Sequence, residues 1–296
     1  MITSAIEHAS VYETFRKLEE EGFRVTYLPV DRTGQVSVEA LKDALTDETI
    51  LVSIMQVNNE MGRVQPIAEI GEVLRAYPKV LFHVDAVQGI GKLPVVPSSL
   101  GIDLISCSAH KLHGPKGAGF LYCRKGVEPE PMLYGGGQER GLRSGTENVP
   151  AIVGMAKAVR KAVERQAQFA EHTAALRRRI VDCIHSMPEL VLIGSERAED
   201  MAPHIVYFSF PGMKSEVLVH ALEQRGVCVS TRSACSSGAD KPSRVMLALG
   251  SPVAASGIRI SYTLQQTPED AELLCQALQE AVAALKPNAA ELKGWR

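Results

Sequence analysis

The feature that most restricts this chain is a regular alternation of short β-rich runs with helical segments through its first half. FRVTYLPV (23–30), TILVSIMQV (49–57) and VLFHVDA (80–86) read as strands. The middle run is apolar without a break, as a strand buried on both faces would be. Between them lie SVEALKDAL (37–45), with Ser37 placed as its N-cap, and PIAEIGEVLRAY (66–77), which opens on the residue a first helical turn tolerates. IDLISCS and GFLYCR follow as further strands. This order predicts an α/β fold: a mostly parallel sheet flanked by helices. In such sheets ligands gather at the carboxyl ends of the strands. Asn59, Asp85 and Lys111 each fall just past a predicted strand and so share that edge.

The chain opens on ITSAIEHASVYETFRKLEEEG, which reads as the end of a strand followed by a helix. A domain that opens mid-motif carries the expectation of a further segment upstream. Past the sheet, GGGQERGLRSGTENVP (135–150) is a glycine-rich loop, and one long helix is expected over 151–186. HIVYFSF (204–210), SEVLVHALEQRG (215–226, closed by Gly226), IRISYT (258–263) and a last helix over 268–286 then form a second unit. The expected division is a large domain over 1–165 and a smaller α/β domain over 166–296, which carries the loop around Cys235.

Composition excludes several classes. With 45% hydrophobic residues, 22% charged residues and a net charge of -2, the chain has no basic excess for direct nucleic-acid binding. No apolar run reaches bilayer length, and the start lacks the pattern of a secretory signal. The 6 cysteines show no C-x-x-C spacing, which argues against a zinc site and a disulfide scaffold and points to a reducing, cytoplasmic compartment. Cys235 stands apart in a run of small polar residues, SACSSG, as a reactive thiol would. The other cysteines mostly have apolar neighbours and read as inert packing residues.

The densest chemistry lies in residues 106–119, SCSAHKLHGPKGAG. Lys111 sits just past a strand among Ser108, His110 and His113. Such a lysine is a Schiff-base nucleophile if its surroundings lower its pKa, and otherwise an exposed loop amine. Asp85 and Gln88, three residues apart, suit either a carboxylate paired with a protonated ring nitrogen or a helix cap. Arg143, Ser144 and Thr146 read as an anion nest or as a flexible surface loop.

Taken in order, ITSAIEH, VNNEMG, HVDAVQ, SAHKLHGPKGAG, GGGQERGLRSGTEN, STRSACSSG and RISY resemble the cysteine desulfurases of the NifS/IscS type. These are pyridoxal-phosphate (PLP) enzymes of aminotransferase class V with the type I fold. The resemblance implies a homodimeric enzyme that converts L-cysteine to L-alanine and passes sulfur to an acceptor or scaffold protein, for iron–sulfur clusters or tRNA thiolation. It assigns Lys111 as the lysine bonded to the cofactor, Asp85 as partner of the ring nitrogen and Gln88 as donor to the ring hydroxyl. His8 corresponds to the histidine stacked on the ring. Ser108 and His110 match phosphate ligands, and Thr146 matches the threonine given to the neighbouring subunit's phosphate. Asn59 and Arg259 resemble the holders of the substrate carboxylate, a task that suits a guanidinium. Cys235 resembles the persulfide-forming nucleophile.

Two departures accompany the resemblance. Arg232 stands where the family often has a small residue. It either raises the thiolate fraction of Cys235 or is a solvated loop charge. The family's YLDNAATT-like strand and its glycine/threonine phosphate loop have no counterpart here, so an incomplete phosphate cradle is expected. Two other readings follow: selenocysteine lyase or another class V lyase, and a non-catalytic remnant that keeps a dimer or partner surface.

Overall fold

The computed structural model describes residues 1–231, 243–250 and 256–285. Its larger sheet joins β1 (Ile2–Ser4), β2 (Thr26–Leu28), β3 (Leu51–Met55), β4 (Leu81–Asp85), β5 (Leu104–Ser108) and β6 (Gly119–Cys123) in the order β2-β1-β3-β4-β5-β6. Every neighbouring pair is parallel except β5 and β6. The antiparallel return places Gly119 against β5, where an added Cβ would lie 2.5 Å from the Cys107 carbonyl oxygen. Only glycine fits there.

Side chains alternate across the sheet. On one face Val52, Ile54, Phe82 and Val84 pack with Leu41 of α2 (Val38–Ala44) and with Ile70 and Leu74 of α3 (Ile67–Leu74). Each such buried side chain contributes about 1.5–3 kcal/mol. Ser37 caps α2 as expected, accepting from the Ala40 amide. The opposite face is polar at mid-sheet. His83 joins the Ser53 hydroxyl through Nδ1 at 2.7 Å and the Ser106 hydroxyl through Nε2 at 2.8 Å. Burial pushes the imidazole down to about 4, so the ring is neutral at neutral pH. This tie across β3, β4 and β5 sits one pleat before Asp85.

The second sheet is antiparallel, β7 (Val191–Leu192), β8 (Ile205–Ser209) and β9 (Gly257–Ser261). The long helix expected over 151–186 is two helices, α4 (Val149–Glu164) and α5 (Gln166–His185), separated at Arg165 with φ −103 and ψ 9. The cause is a change of neighbour. α4 has no buried residue, whereas α5 turns Leu176, Ile180 and Ile184 into the small sheet's core. Gln166 anchors the turn by donating to the Leu93 carbonyl at 2.8 Å. No glycine or proline marks the break.

That core is completed by α6 (Ser215–Glu223) and α8 (Pro268–Leu285), with Phe208, Leu218, Ile258 and Leu278 at its centre. Gly226, at φ +79, closes α6 while the Val227 amide bonds back to the Leu222 carbonyl. α5 and α8 run parallel: His172 meets the Gln266 carbonyl at 2.7 Å and Arg179 meets Glu272 at 3.0 Å. A short helix, α7 (Arg244–Ala248), packs Val245 and Met246 with Ile6, Met61 and Tyr207, between the two sheets.

The sheets are also joined by backbone. The Val64 amide donates to the Asp200 carbonyl (3.0 Å) and the Ala202 amide to the Gly62 carbonyl (2.7 Å). Beside them Arg63 Nη1 meets Asp200 Oδ2 at 2.8 Å, and the Arg63 side chain is only 3% exposed. Ser195 and Gln35 complete the cluster by hydrogen bonds to Asp200 and from Arg63. Elsewhere large apolar side chains lie bare: Met132 is 92% exposed, and Leu133, Tyr134, Val149 and Val153 are exposed too. Of the cysteines expected as inert packing residues, Cys107 is buried and Cys123, Cys183 and Cys275 are half-buried. Cys228 is exposed and does not fit that expectation, because the turn after α6 carries it to the surface.

Removing one partner of a buried ion pair strands the other. Arg63→Ala is expected to lower unfolding free energy by about 3 kcal/mol, read as a shift in urea midpoint. A midpoint equal to that of the wild type would show that the joint does not depend on this pair.

Candidate active site

The site forms where β1, β3, β4 and β5, adjacent in the sheet, release their chains at one edge. His8 follows β1, Asn59 follows β3, Asp85 ends β4, and Ser108 ends β5. Past Ser108 a 3-10 turn, Ala109–Leu112, carries His110 and Lys111. His113, in the left-handed region at φ +59, ends the turn, and the Gly114 amide closes on the Ala109 carbonyl at 2.9 Å.

His8 is also the N-cap of α1 (Ala9–Glu20). Its Nδ1 accepts from the Ser10 amide at 3.2 Å, with the Ser10 hydroxyl 2.8 Å away. An amide can only donate, so in the neutral ring the proton sits on Nε2. Asp85 is buried, and its Oδ1 accepts from the Val87 amide at 3.0 Å. Burial pushes its carboxyl upward, while the Val87 hydrogen bond and the nearby His8 charge pull the other way. Gln88 Oε1 lies 3.3 Å from Lys92 Nζ. An ammonium only donates, so Gln88 turns its oxygen to Lys92 and keeps its NH2 for another acceptor. Burial, and then the charge of Lys111, push Lys92 down to about 8.

Asn59, Gln88, His110, Lys111 and Arg259 line one cavity of about 640 Å³ between the two sheets. Arg259 reaches it from β9, and its Nη1 donates to the Asn59 carbonyl at 2.8 Å. Lys92, Lys157, Lys161, Arg165 and His204 also face the cavity, and no Asp or Glu is among its lining residues. Such a site favours an anion. His8, Asp85 and Ser108 are not part of that lining. Thr146 is exposed on the loop before α4 and is likewise not part of it. Cys235 and Arg232 fall outside the described residues.

Three residues that sequence reasoning passed over belong to this region. The Lys92 contact was accessible in principle, because Gln88 and Lys92 have the spacing of one helical turn. His204 carries no signal in the sequence. It is buried, neither ring nitrogen has a hydrogen-bond partner, and burial holds its pKa well below the ordinary value. Glu7 reads as an acid ahead of a helix, yet it is buried beside the sheet. Its Oε1 accepts from Ser4 Oγ at 2.6 Å and from the Met55 amide at 3.0 Å. Burial pushes its carboxyl up to about 8, against the pull of those two bonds, and the charge of Asp85 adds to the rise. Met55 pairs with Asp85 in the β3–β4 ladder, so Glu7 braces the strand end that presents Asp85.

The strand-edge lysine, the buried aspartate on the adjacent strand and the guanidinium from a second sheet define the class. The chain belongs to the aminotransferase class-V family, whose model matches residues 1–274. Its relatives within that family are cysteine desulfurases of the IscS and NifS type. The cysteine desulfurase IscS of Clostridium botulinum is 44% identical over 285 residues, covering 95% of this chain and 72% of the relative. The putative cysteine desulfurase IscS 1 of Bacillus subtilis is 43% identical, covering 96% and 76%. A solved NifS-like protein superposes with a TM-score of 0.88 at 40% identity, over 96% of this chain and 75% of that one. The fold is therefore the type I PLP fold.

Glu7 gives a signed pH prediction. Its folded pKa lies above its unfolded one, so the folded state binds more protons between the ordinary carboxyl range and about 8. Stability from this group is full below that window and falls as pH rises through it. Glu7→Gln keeps both acceptor bonds and removes the titration. The wild type should lose up to about 1.4 kcal/mol per pH unit relative to this variant across the window, read from urea midpoints. Parallel curves for the two proteins would contradict the protonated assignment.

Proposed function

We propose that the protein is a PLP-dependent cysteine desulfurase that converts L-cysteine to L-alanine and holds the released sulfur as a persulfide on Cys235. The carrying observation is the convergence of Lys111, Gln88, His110, Asn59 and Arg259 on a carboxylate-free cavity at the strand ends of a class-V fold. On this reading residues 1–165 form the cofactor-binding unit and 166–296 the smaller unit, divided at the break after α4.

Residues suited to hold the cofactor stand in the cavity lining, at Gln88, His110 and Lys111, and at the strand edge, at His8, Asp85 and Ser108. Lys111 offers the primary amine that bonds it, and Asp85 the buried carboxylate for a protonated ring nitrogen. Gln88, its oxygen taken by Lys92, would donate its NH2 to the ring hydroxyl. His8 would cover the ring face, Ser108 and His110 would take the phosphate, and Thr146 would serve the phosphate of a second subunit. The cofactor, when bound, supplies an electron sink for the carbon beside the substrate carboxylate.

The chain's own groups do the rest. Arg259, its plane fixed by the bond to the Asn59 carbonyl, grips the substrate carboxylate together with Asn59. Lys111 Nζ removes the α-proton and holds it. His8 Nε2, oriented by the contact of Nδ1 with Ser10, holds a second exchangeable proton. The Cys235 thiolate attacks the substrate sulfur. A sulfur–sulfur bond forms, the carbon–sulfur bond breaks, and the electron pair leaves with the carbon fragment, which a proton turns into alanine.

The partners on this reading are free L-cysteine, a second copy of the chain and a sulfur-accepting or scaffold protein, in the cytoplasm. Sulfur delivery serves iron–sulfur cluster assembly or tRNA thiolation. The exposed apolar side chains of Met132, Leu133, Tyr134, Val149 and Val153 support the second copy, because they flank Thr146 along the chain and leave apolar surface uncovered. Among the described residues no helix is long and apolar enough to cross a membrane.

Cys235→Ala should bind cysteine with unchanged affinity and form no persulfide, as read by thiol-specific labelling and mass spectrometry. Alanine and sulfide release at the wild-type rate would remove Cys235 from its role. Tyr134→Asp combined with Val153→Glu should convert a dimer into a monomer with an unchanged far-ultraviolet dichroism spectrum, as read by sedimentation. A dimer that survives both changes would place the subunit contact elsewhere.

A further inference from the structure

The small unit holds a second thiol site, distant in sequence from the Cys235 loop. α5 and α8 pack in parallel, and the contacts of His172 with Gln266 and of Arg179 with Glu272 fix their register. One helical turn beyond that ion pair the same seam carries Cys183 of α5 and Cys275 of α8, close enough for the two thiols to interact. Both are half-buried, so a small reagent reaches them, and both are free. Among the described residues no group of His, Cys, Asp and Glu could hold a metal, which leaves thiol chemistry.

We propose that Cys183 and Cys275 form a reversible redox site, converted from dithiol to disulfide by exchange with a low-molecular-weight disulfide of the glutathione class. The thiolate of one of the two cysteines attacks one sulfur of the reagent, forming a mixed disulfide and expelling one thiolate. The other cysteine then gives up its proton and attacks the protein sulfur of the mixed disulfide, and the second thiolate leaves. Two protein thiols are oxidised, and one reagent disulfide is reduced to two thiols. The product staples α5 to α8 across the helical cover of the small sheet. A cytoplasmic glutathione pool would reverse it, so the bond reports a change in redox poise and is not a permanent brace.

The full chain is equilibrated in glutathione buffers of increasing oxidised fraction, quenched with an alkylating reagent, and mapped by peptide mass spectrometry. The expected result is a linked Cys183–Cys275 peptide pair that has lost two hydrogens and carries no glutathione. The exposed Cys228 serves as the internal control that takes up single glutathione adducts. In Cys183→Ala the reaction should stop at a stable glutathione adduct on Cys275. Stable adducts on Cys275 in the wild type, or two free thiols when Cys228 is fully modified, would overturn the proposal. The wild-type measurement decides the matter alone if the variant does not fold.

Discussion

The two sheets are held in one arrangement by a guanidinium that has nowhere else to go. Arg63 is almost fully buried, and its charge is met by Asp200, itself held by Ser195. A buried cation is tolerated only with its counter-charge in place, so this pair acts less as a source of stability than as a lock on geometry. The backbone bonds from Val64 to Asp200 and from Ala202 to Gly62 set the same register. Four residues before Arg63 lies Asn59, whose carbonyl receives Arg259 from the far sheet. The reach of Arg259 into the cavity thus depends on a joint that takes no part in the chemistry.

The site is built from charges that would be unfavourable in isolation. Asp85 and Glu7 are buried near each other at one strand edge, and two carboxylates there would repel. Burial pushes Glu7 up to about 8, so it is mostly protonated at neutral pH and Asp85 does not face a second carboxylate. On the cavity side the reverse holds: several cations gather without a carboxylate, and Lys92 relieves part of that strain by a lowered pKa. The same amine orients Gln88, so one lysine tunes charge and geometry together.

Most of the architecture was legible because strands and helices of this fold follow hydrophobic periodicity. β3, β4, α2 and α8 each fall within the stretches read from sequence, and Ser37 caps α2 by the bond its position predicts. The break at Arg165 was hidden because alanine, arginine and glutamate suit either helix, and only tertiary packing chooses the turn. β7, two residues long, has no period to read. Within the site, Asn59, Asp85 and Lys111 were visible as strand-end residues, and the family pattern raised His8 and Arg259. Glu7 and His204 were not visible, because burial of a polar side chain is a property of the folded neighbourhood and not of its sequence context. Thr146 stands exposed and is not among the residues that line the cavity.

The parallel run of α5 and α8 gives the cavity something its side chains do not. Parallel helices point their amino ends the same way, and here both ends lie beside the cavity: Arg165 and Gln265, which line it, sit just ahead of the two helices. Each helix start carries a partial positive charge of about half a unit from its aligned peptide dipoles. α8 spends that charge on Glu269 and Asp270 in its own first turn, but α5 has no acid there. Part of the attraction for the carboxylate of an incoming amino acid is therefore written into the main chain. Replacing every lysine around the rim would leave that part in place.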